Sequence, residues 1–94
     1  MIPDIEEINR LTTRQYKLTV RTYKTKLRER VISSIKSSAR IAKRSTVVQL
    51  EEPSMLKLMD KVEIRDSIVG DLIEAGYDAR GDYYAITVRW GEED

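Results

Sequence analysis

The stretch "LIEAGYDARGDYYAITVRW", residues 72–90, decides the fold. It opens on the end of a helix: Leu72 and Ile73 close an apolar pattern of helical period, and Gly76 can take the left-handed conformation just past the last turn. "YDAR" (77–80) then begins a strand, and Gly81-Asp82 predicts a two-residue hairpin turn with glycine first. Beyond it the residues alternate, with Tyr84, Ile86, Val88 and Trp90 on one face and Tyr83, Ala85, Thr87 and Arg89 on the other. An apolar strand face needs a covering layer. Trp90 is therefore expected on the inner face with Ile86 and Val88, against Val69 and Leu72 of the preceding helix.

Moving towards the N-terminus, "STVVQL" (45–50) is β-branched and reads as a third strand. The "EEPS" that follows predicts a helix start at Pro53 or Ser54. From there Met55, Leu58, Met59, Val62, Val69, Leu72 and Ile73 share one broad helical face, and Ile64 falls outside it. That misfit leaves two arrangements open for residues 54–75, one continuous helix or two with a break near 60–66.

The first half is helical. Asp4 with Glu7 makes a capping box after Pro3, and Thr12 with Gln15 makes a second, so a short helix near 4–11 either abuts or merges with a longer one. From Tyr16 the apolar positions run Val20, Tyr23, Leu27, Val31, Ile35 and Ala42, with Ser38 filling the gap. Their spacing, about 3.7 residues per step, follows a nearly straight helix better than a heptad coil. Ser34, Ser38 and Ala42 form a small-residue strip, expected to let another part of the chain pack closely. A compact 94-residue domain has a radius of gyration of about 12 Å. The helix should overhang it, leaving Tyr16, Val20 and Tyr23 to be covered by a fold-back of residues 4–11 or by a second copy. A homodimer is expected.

The predicted architecture is a single α+β domain over residues 1–94. A long N-terminal amphipathic helix precedes a β-α-β-β unit whose three-stranded, mainly antiparallel sheet is covered by helices on one face. Its charge is divided. Residues 1–50 carry twelve Lys or Arg against four Asp or Glu, hence +8, while residues 51–94 carry five against twelve, hence −7. The basic helical half spans 4–44 and the acidic half 45–94. Within the helix Arg10, Arg14, Lys17, Arg21, Lys24 and Arg28 repeat at steps of four and three, which places all six on one side. No Asp or Glu falls between Arg10 and Lys26, whereas a merely solvated helix interleaves both signs for i to i+4 pairing. A ridge of this kind can track a phosphate backbone, and Tyr16 and Tyr23 could add apolar contact or base stacking.

Other chemistries find less support. Cysteine and histidine are absent, which removes disulfides, thiolate nucleophiles, zinc sites of the usual kind and imidazole bases. The carboxylates Glu51, Glu52, Asp60, Glu63, Asp66, Asp71, Asp78 and Asp82 follow no calcium-loop spacing and read as a solvated acidic surface, so no catalytic residue, metal or cofactor is expected. A winged-helix arrangement fits the element order, with "ARGDYY" as wing, but its recognition helix would show phosphates Glu63, Asp66, Asp71 and Glu74 against Arg65. The N-terminus "MIPDIEEI" is acidic where a secretory signal is basic, and no apolar run is long enough to cross a bilayer. A soluble cytoplasmic protein without a membrane partner is expected.

The run from the long helix through the hairpin, with Leu72, Gly76, Tyr77, Ile86, Val88 and Trp90 at its marked positions, resembles small uncharacterised α+β proteins of tailed bacteriophages. The likeness covers roughly residues 14–91. It departs in its strongly basic helix and in a longer segment before Leu72. It implies a viral setting, hence the host cytoplasm, and no settled activity. The expectation is a non-enzymatic protein whose basic helix engages a polyanion, first nucleic acid without strong sequence preference, second an acidic host protein. A third possibility is an assembly subunit that uses its charge division to form oligomers.

Overall fold

The computed structural model describes residues 1–50 and 56–91. The chain runs α1 (Ile5–Arg40), β1 (Ser45–Gln49), α2 (Leu58–Glu74), β2 (Asp78–Gly81) and β3 (Ala85–Arg89). This is the predicted α+β order, a long helix followed by β-α-β-β. The sheet order is β1-β3-β2, with β3 antiparallel to both neighbours. β1 and β2 therefore point the same way with β3 between them, and α2 is the crossover that joins them.

The expected pair of N-terminal helices is one. Asp4 caps α1, its carboxylate accepting the Glu6 N–H, and the helix continues through Thr12 without interruption. Thr12 and Gln15 match a capping box, but the 36-residue helix has no end there for them to cap. At 1.5 Å per residue α1 is about 54 Å long, and the molecule measures 67 × 21 × 20 Å with a radius of gyration of 17.1 Å. An overhang is present, but Tyr16, Val20 and Tyr23, expected on it, are half-buried: Val20 and Tyr23 pack against the core and Tyr16 bonds to α2. Residues 1–15 are all exposed, so no fold-back covers the arm.

Two rows of side chains build the inner face of the sheet. Register aligns Val48, Ile86 and Gly81 in one row and Thr46, Val88 and Ala79 in the other. Ile86 and Val88 are wholly buried, and they meet Leu27 and Val31 of α1 and Ile64, Ile68 and Leu72 of α2 in one core. The small-residue strip of α1 lies where β1 crosses it, with Ser34 and Thr46 hydroxyls sharing a 2.5 Å hydrogen bond.

One arrangement left open is resolved, and several expectations need correction. α2 is continuous through residues 60–66, and its buried stripe is Ile64, Ile68 and Leu72, at i, i+4 and i+8. Leu58, Met59 and Ile73, expected inside, are 54, 78 and 55 % exposed. The proposed starts at Pro53 and Ser54, and Met55 with them, lie outside the described residues; α2 begins at Leu58 with Lys57 as its cap residue. The hairpin turn is centred on Tyr83-Tyr84, two residues beyond Gly81-Asp82. Asp82 directs it, its N–H donating to the Ala85 carbonyl and its carboxylate accepting the Tyr84 and Ala85 N–H groups at 2.8 Å each. Tyr84 is consequently exposed with Tyr83 rather than part of the inner face. Trp90 is only half-buried: it follows the end of β3 and packs edge-on to Tyr77, ring centroids 6.2 Å apart, at the margin of the core.

Both helices end in the same hydrogen-bond pattern. At α2, Gly76 N–H bonds to Ile73 and Tyr77 N–H to Leu72, with Gly76 at φ +99°. At α1, Ala42 N–H bonds to Ala39 and Lys43 N–H to Ser38, and the left-handed position is filled by Ala42 at φ +63°. An L-residue there is strained by about 1–2 kcal/mol, partly offset because glycine has more unfolded-state freedom to lose. Ala42→Gly is thus expected to stabilise the protein by roughly 0.5–1 kcal/mol, raising its thermal midpoint by a few degrees. A lowered midpoint would refute the strained cap.

Candidate functional site

α1 has three sides. Taking about 100° per residue, Tyr16, Val20, Tyr23, Leu27 and Val31 define the side turned to the domain. The six ridge cations lie about a quarter-turn from it, and the third side looks away from the fold. Contacts fix this orientation. Arg30 donates to the Gln49 carbonyl at 3.0 Å on the flank where β1 lies. On the other flank α2 runs alongside α1 in the same direction, with Lys57 and Asp60 beside Tyr16 and with Asp71 beside Arg28.

The ridge extends from that flank out along the arm. Arg10, Arg14, Lys17 and Arg21 are exposed, while Lys24 and Arg28 are half-buried at the border with α2. Arg28 is paired with Asp71 at 2.5 Å. None of the other five has a carboxylate partner among the described residues. Among the described residues the acidic half therefore answers the ridge at one position, and because that pair is about half exposed it adds roughly 0–1 kcal/mol. Geometry accounts for this among the described residues: α2, which carries Asp60 and Asp71, begins at Leu58 beside Tyr16, and the arm extends beyond it. Asn9, Thr13, Arg10, Arg14 and Lys17 line a shallow open groove along the arm, with amide and hydroxyl groups beside the cations.

The two tyrosines belong to the domain side and not to the ridge. Tyr16 donates its hydroxyl proton to the Asp60 carboxylate and accepts the Lys57 N–H at 3.1 Å. It thereby serves the N–H of Lys57, the cap residue of α2, whose own side chain makes no capping bond. The Lys57 ammonium lies 5.6 Å above its ring. Hydrogen bonding to Asp60 holds the Tyr16 phenol above its ordinary value of 10.0, against the opposite pull of the Lys57 N–H. The neutral phenol is the form that fastens the helices, so this contribution is complete below the ordinary tyrosine range and is lost as pH rises through the elevated value. Tyr23 packs against the core. Neither ring is presented for stacking beside the cations, which leaves phosphate contact as the chemistry of the ridge.

Elsewhere the surface offers less. A cleft of about 250 Å³ opens between α1 and α2, lined by Val31, Ile35, Ile68 and Leu72 with the Arg28–Asp71 pair at its rim. It is below the size of most small-molecule sites and has no converging set of unpaired polar groups. Among the described residues no three Asp or Glu converge as a metal site would require, and no helix is long and apolar enough to cross a membrane. The sequence reading did not identify one further feature of the arm, the exposed side chains Ile8, Leu11 and Leu18 on its third side. Their three-then-seven spacing was present in the sequence, but the longer stripe from Tyr16 to Ile35 dominates the pattern.

No known protein family, characterised protein or solved structure matches the chain.

Proposed function

We propose that this chain is a non-enzymatic, phage-type binding protein that acts in the host cytoplasm, its basic arm engaging nucleic acid through phosphates without strong sequence preference. The observation that carries this reading is the row Arg10, Arg14, Lys17, Arg21 and Lys24, five cations with no carboxylate partner among the described residues of a chain that holds sixteen Asp and Glu. Like charges at i and i+4 repel by a few tenths of a kcal/mol each, and folding gains nothing from arranging them so. An external polyanion gains a great deal, since each phosphate neutralised releases condensed counterions. A straight ridge about 21 Å long, at 1.5 Å per residue, can meet several successive phosphates. It presents no aligned set of base-reading amide or guanidinium pairs anchored by a second element, so phosphate contact would position the protein without specifying sequence.

The arm also carries the proposal of a homodimer, taken further below. Capture from a bacterial lysate on the immobilised full chain, with and without nuclease, separates the partner classes. Nucleic acid is expected in the eluate, and any captured proteins are expected to disappear after nuclease. An acidic protein retained equally in both arms of the experiment would replace the nucleic-acid reading with that of a host-protein modulator.

A further inference from the structure

Ile8, Leu11 and Leu18 are 42, 50 and 47 % exposed, and Ile5, near the tip, is 72 % exposed. Ile8, Leu11 and Leu18 stand on the side of α1 that faces neither β1 nor α2, on average more than a quarter-turn from the ridge at about 100° per residue. We propose that a second copy of this chain covers this stripe, arm against arm and antiparallel. The pairing itself is independent of what the ridge binds.

Spacing and charge both select this partner. Ile8, Leu11, Gln15 and Leu18 fall at steps of three, four and three, the a-d-a-d seam of a helix pair. In an antiparallel pair, a positions meet d positions. Setting Ile8 against the partner's Leu18 sets Leu11 against the partner's Gln15, and the same contacts recur across a twofold axis near residue 13. The stripe is thus complementary to itself reversed, as an isologous interface requires. A parallel pair would instead bury Gln15 against Gln15. The arm is also a charge gradient, with Asp4, Glu6 and Glu7 in and before its first turn and then cations without an acid up to Lys26. Reversal brings Glu7 beside the partner's Arg21 at both ends of the seam, whereas parallel arms would leave Glu7 opposite the uncharged Thr12.

One consequence does rest on the nucleic-acid reading. In an antiparallel pair Arg14 and Arg21 of both copies flank the same side of the seam, with Arg10 and Lys17 just outside them. The two ridges become one basic face with twice the charge. At its centre Arg14 meets the partner's Arg14, a repulsion that a phosphate lying across both removes. Polyanion binding and pairing therefore strengthen one another.

A few apolar side chains per copy make a small interface, so dissociation is expected on the order of tens of micromolar. Sedimentation equilibrium of the full chain without nucleic acid, from about 10 to about 500 µM, should show the mass rising from one chain to two. The variant Leu11→Glu/Leu18→Glu should remain one chain throughout, with unchanged circular dichroism and Trp90 fluorescence, and should still bind an oligonucleotide, at least about tenfold more weakly. Orientation is read from an equimolar mixture of Glu7→Cys and Arg21→Cys chains, which should oxidise to the mixed disulfide in preference to either homodimer. A wild type that stays monomeric at the highest concentration, a variant that still dimerises, or a predominance of the Glu7→Cys homodimer would overturn the proposal. A dimer that binds no polyanion would leave it intact and overturn only the reading of the ridge.

Discussion

Replacing Arg14, Lys17 and Arg21 together by glutamate is expected to abolish nucleic-acid binding while leaving the melting temperature within a few degrees of wild type. All three are exposed and have no carboxylate partner among the described residues, so no ion pair within the described part of one copy is lost. The substitutions exchange repulsions along the arm for a mixture of attractions to Arg10 and Lys24 and new repulsions among the glutamates, each a few tenths of a kcal/mol. For a domain of this size 1 kcal/mol moves the midpoint by about 4–8 °C. Binding responds far more, because three phosphate contacts become three repulsions. Non-specific dissociation constants of about 10⁻⁴–10⁻⁶ M at physiological salt leave little room to weaken before retention vanishes. The control is Lys26→Glu/Lys36→Glu/Arg40→Glu, an identical change of net charge on exposed positions off the ridge. With a screening length of about 8 Å at physiological ionic strength, it should weaken binding severalfold at most. If the ridge variant unfolds, the cations are scaffolding. If both variants bind equally poorly, net charge and not the ridge is responsible.

The second large effect lies in the core. Ile86 is wholly buried on the central strand, aligned with Val48 across one ladder and facing the residues that α1 and α2 contribute. Ile86→Ala removes three heavy atoms from the one place where both helices and the sheet meet, at an expected cost of about 3–4 kcal/mol. Against a total stability of roughly 5–14 kcal/mol for a chain of this length, the midpoint should fall by about 12–30 °C. Ile73→Ala is the informative comparison. It changes the same kind of side chain at a position 55 % exposed, and should shift stability by no more than about 0.5 kcal/mol. Comparable losses at the two sites would mean that α2 presents the face inferred from its apolar pattern and not the one described here.

Much of the architecture was legible because it rests on local signals. The alternation of Ile86 and Val88, the glycine after α2 and the long apolar stripe of α1 each specify their element without reference to the rest of the chain. What failed depends on tertiary context. On α2 the apolar residues are numerous enough to suggest a broad face including Met59 and Ile73. The face that α2 turns to the sheet and α1 is narrower, and Ile64, Ile68 and Leu72 are its buried residues. Gly81 looked like a turn residue; its lack of a side chain instead admits the Arg65 stem, since a β-carbon there would sit 2.5 Å from Arg65 Cδ. Arg65 then reaches the Asp82 carbonyl at 3.0 Å and ties α2 to the hairpin. The left-handed Ala42 leaves no trace in residue type, because alanine is not a residue that favours that conformation. For the candidate site, the ridge was visible as spacing. Its lack of carboxylate partners among the described residues was not, since the Tyr16–Asp60 and Arg28–Asp71 contacts join positions more than forty residues apart. The same distance hid the commitment of Tyr16 to α2.

The central claim is that the ridge Arg10–Lys24 engages the phosphates of nucleic acid, and the salt dependence of wild-type binding tests it most directly. Affinity for fluorescently labelled oligonucleotides of unrelated sequence, DNA and RNA, is followed as salt is raised from low to physiological concentration. If five cations each meet a phosphate, log affinity should fall linearly with log salt, with a slope of about −3.5 to −4.5 and the same value for each sequence. A slope near zero, or no binding to any oligonucleotide at low salt, would contradict it.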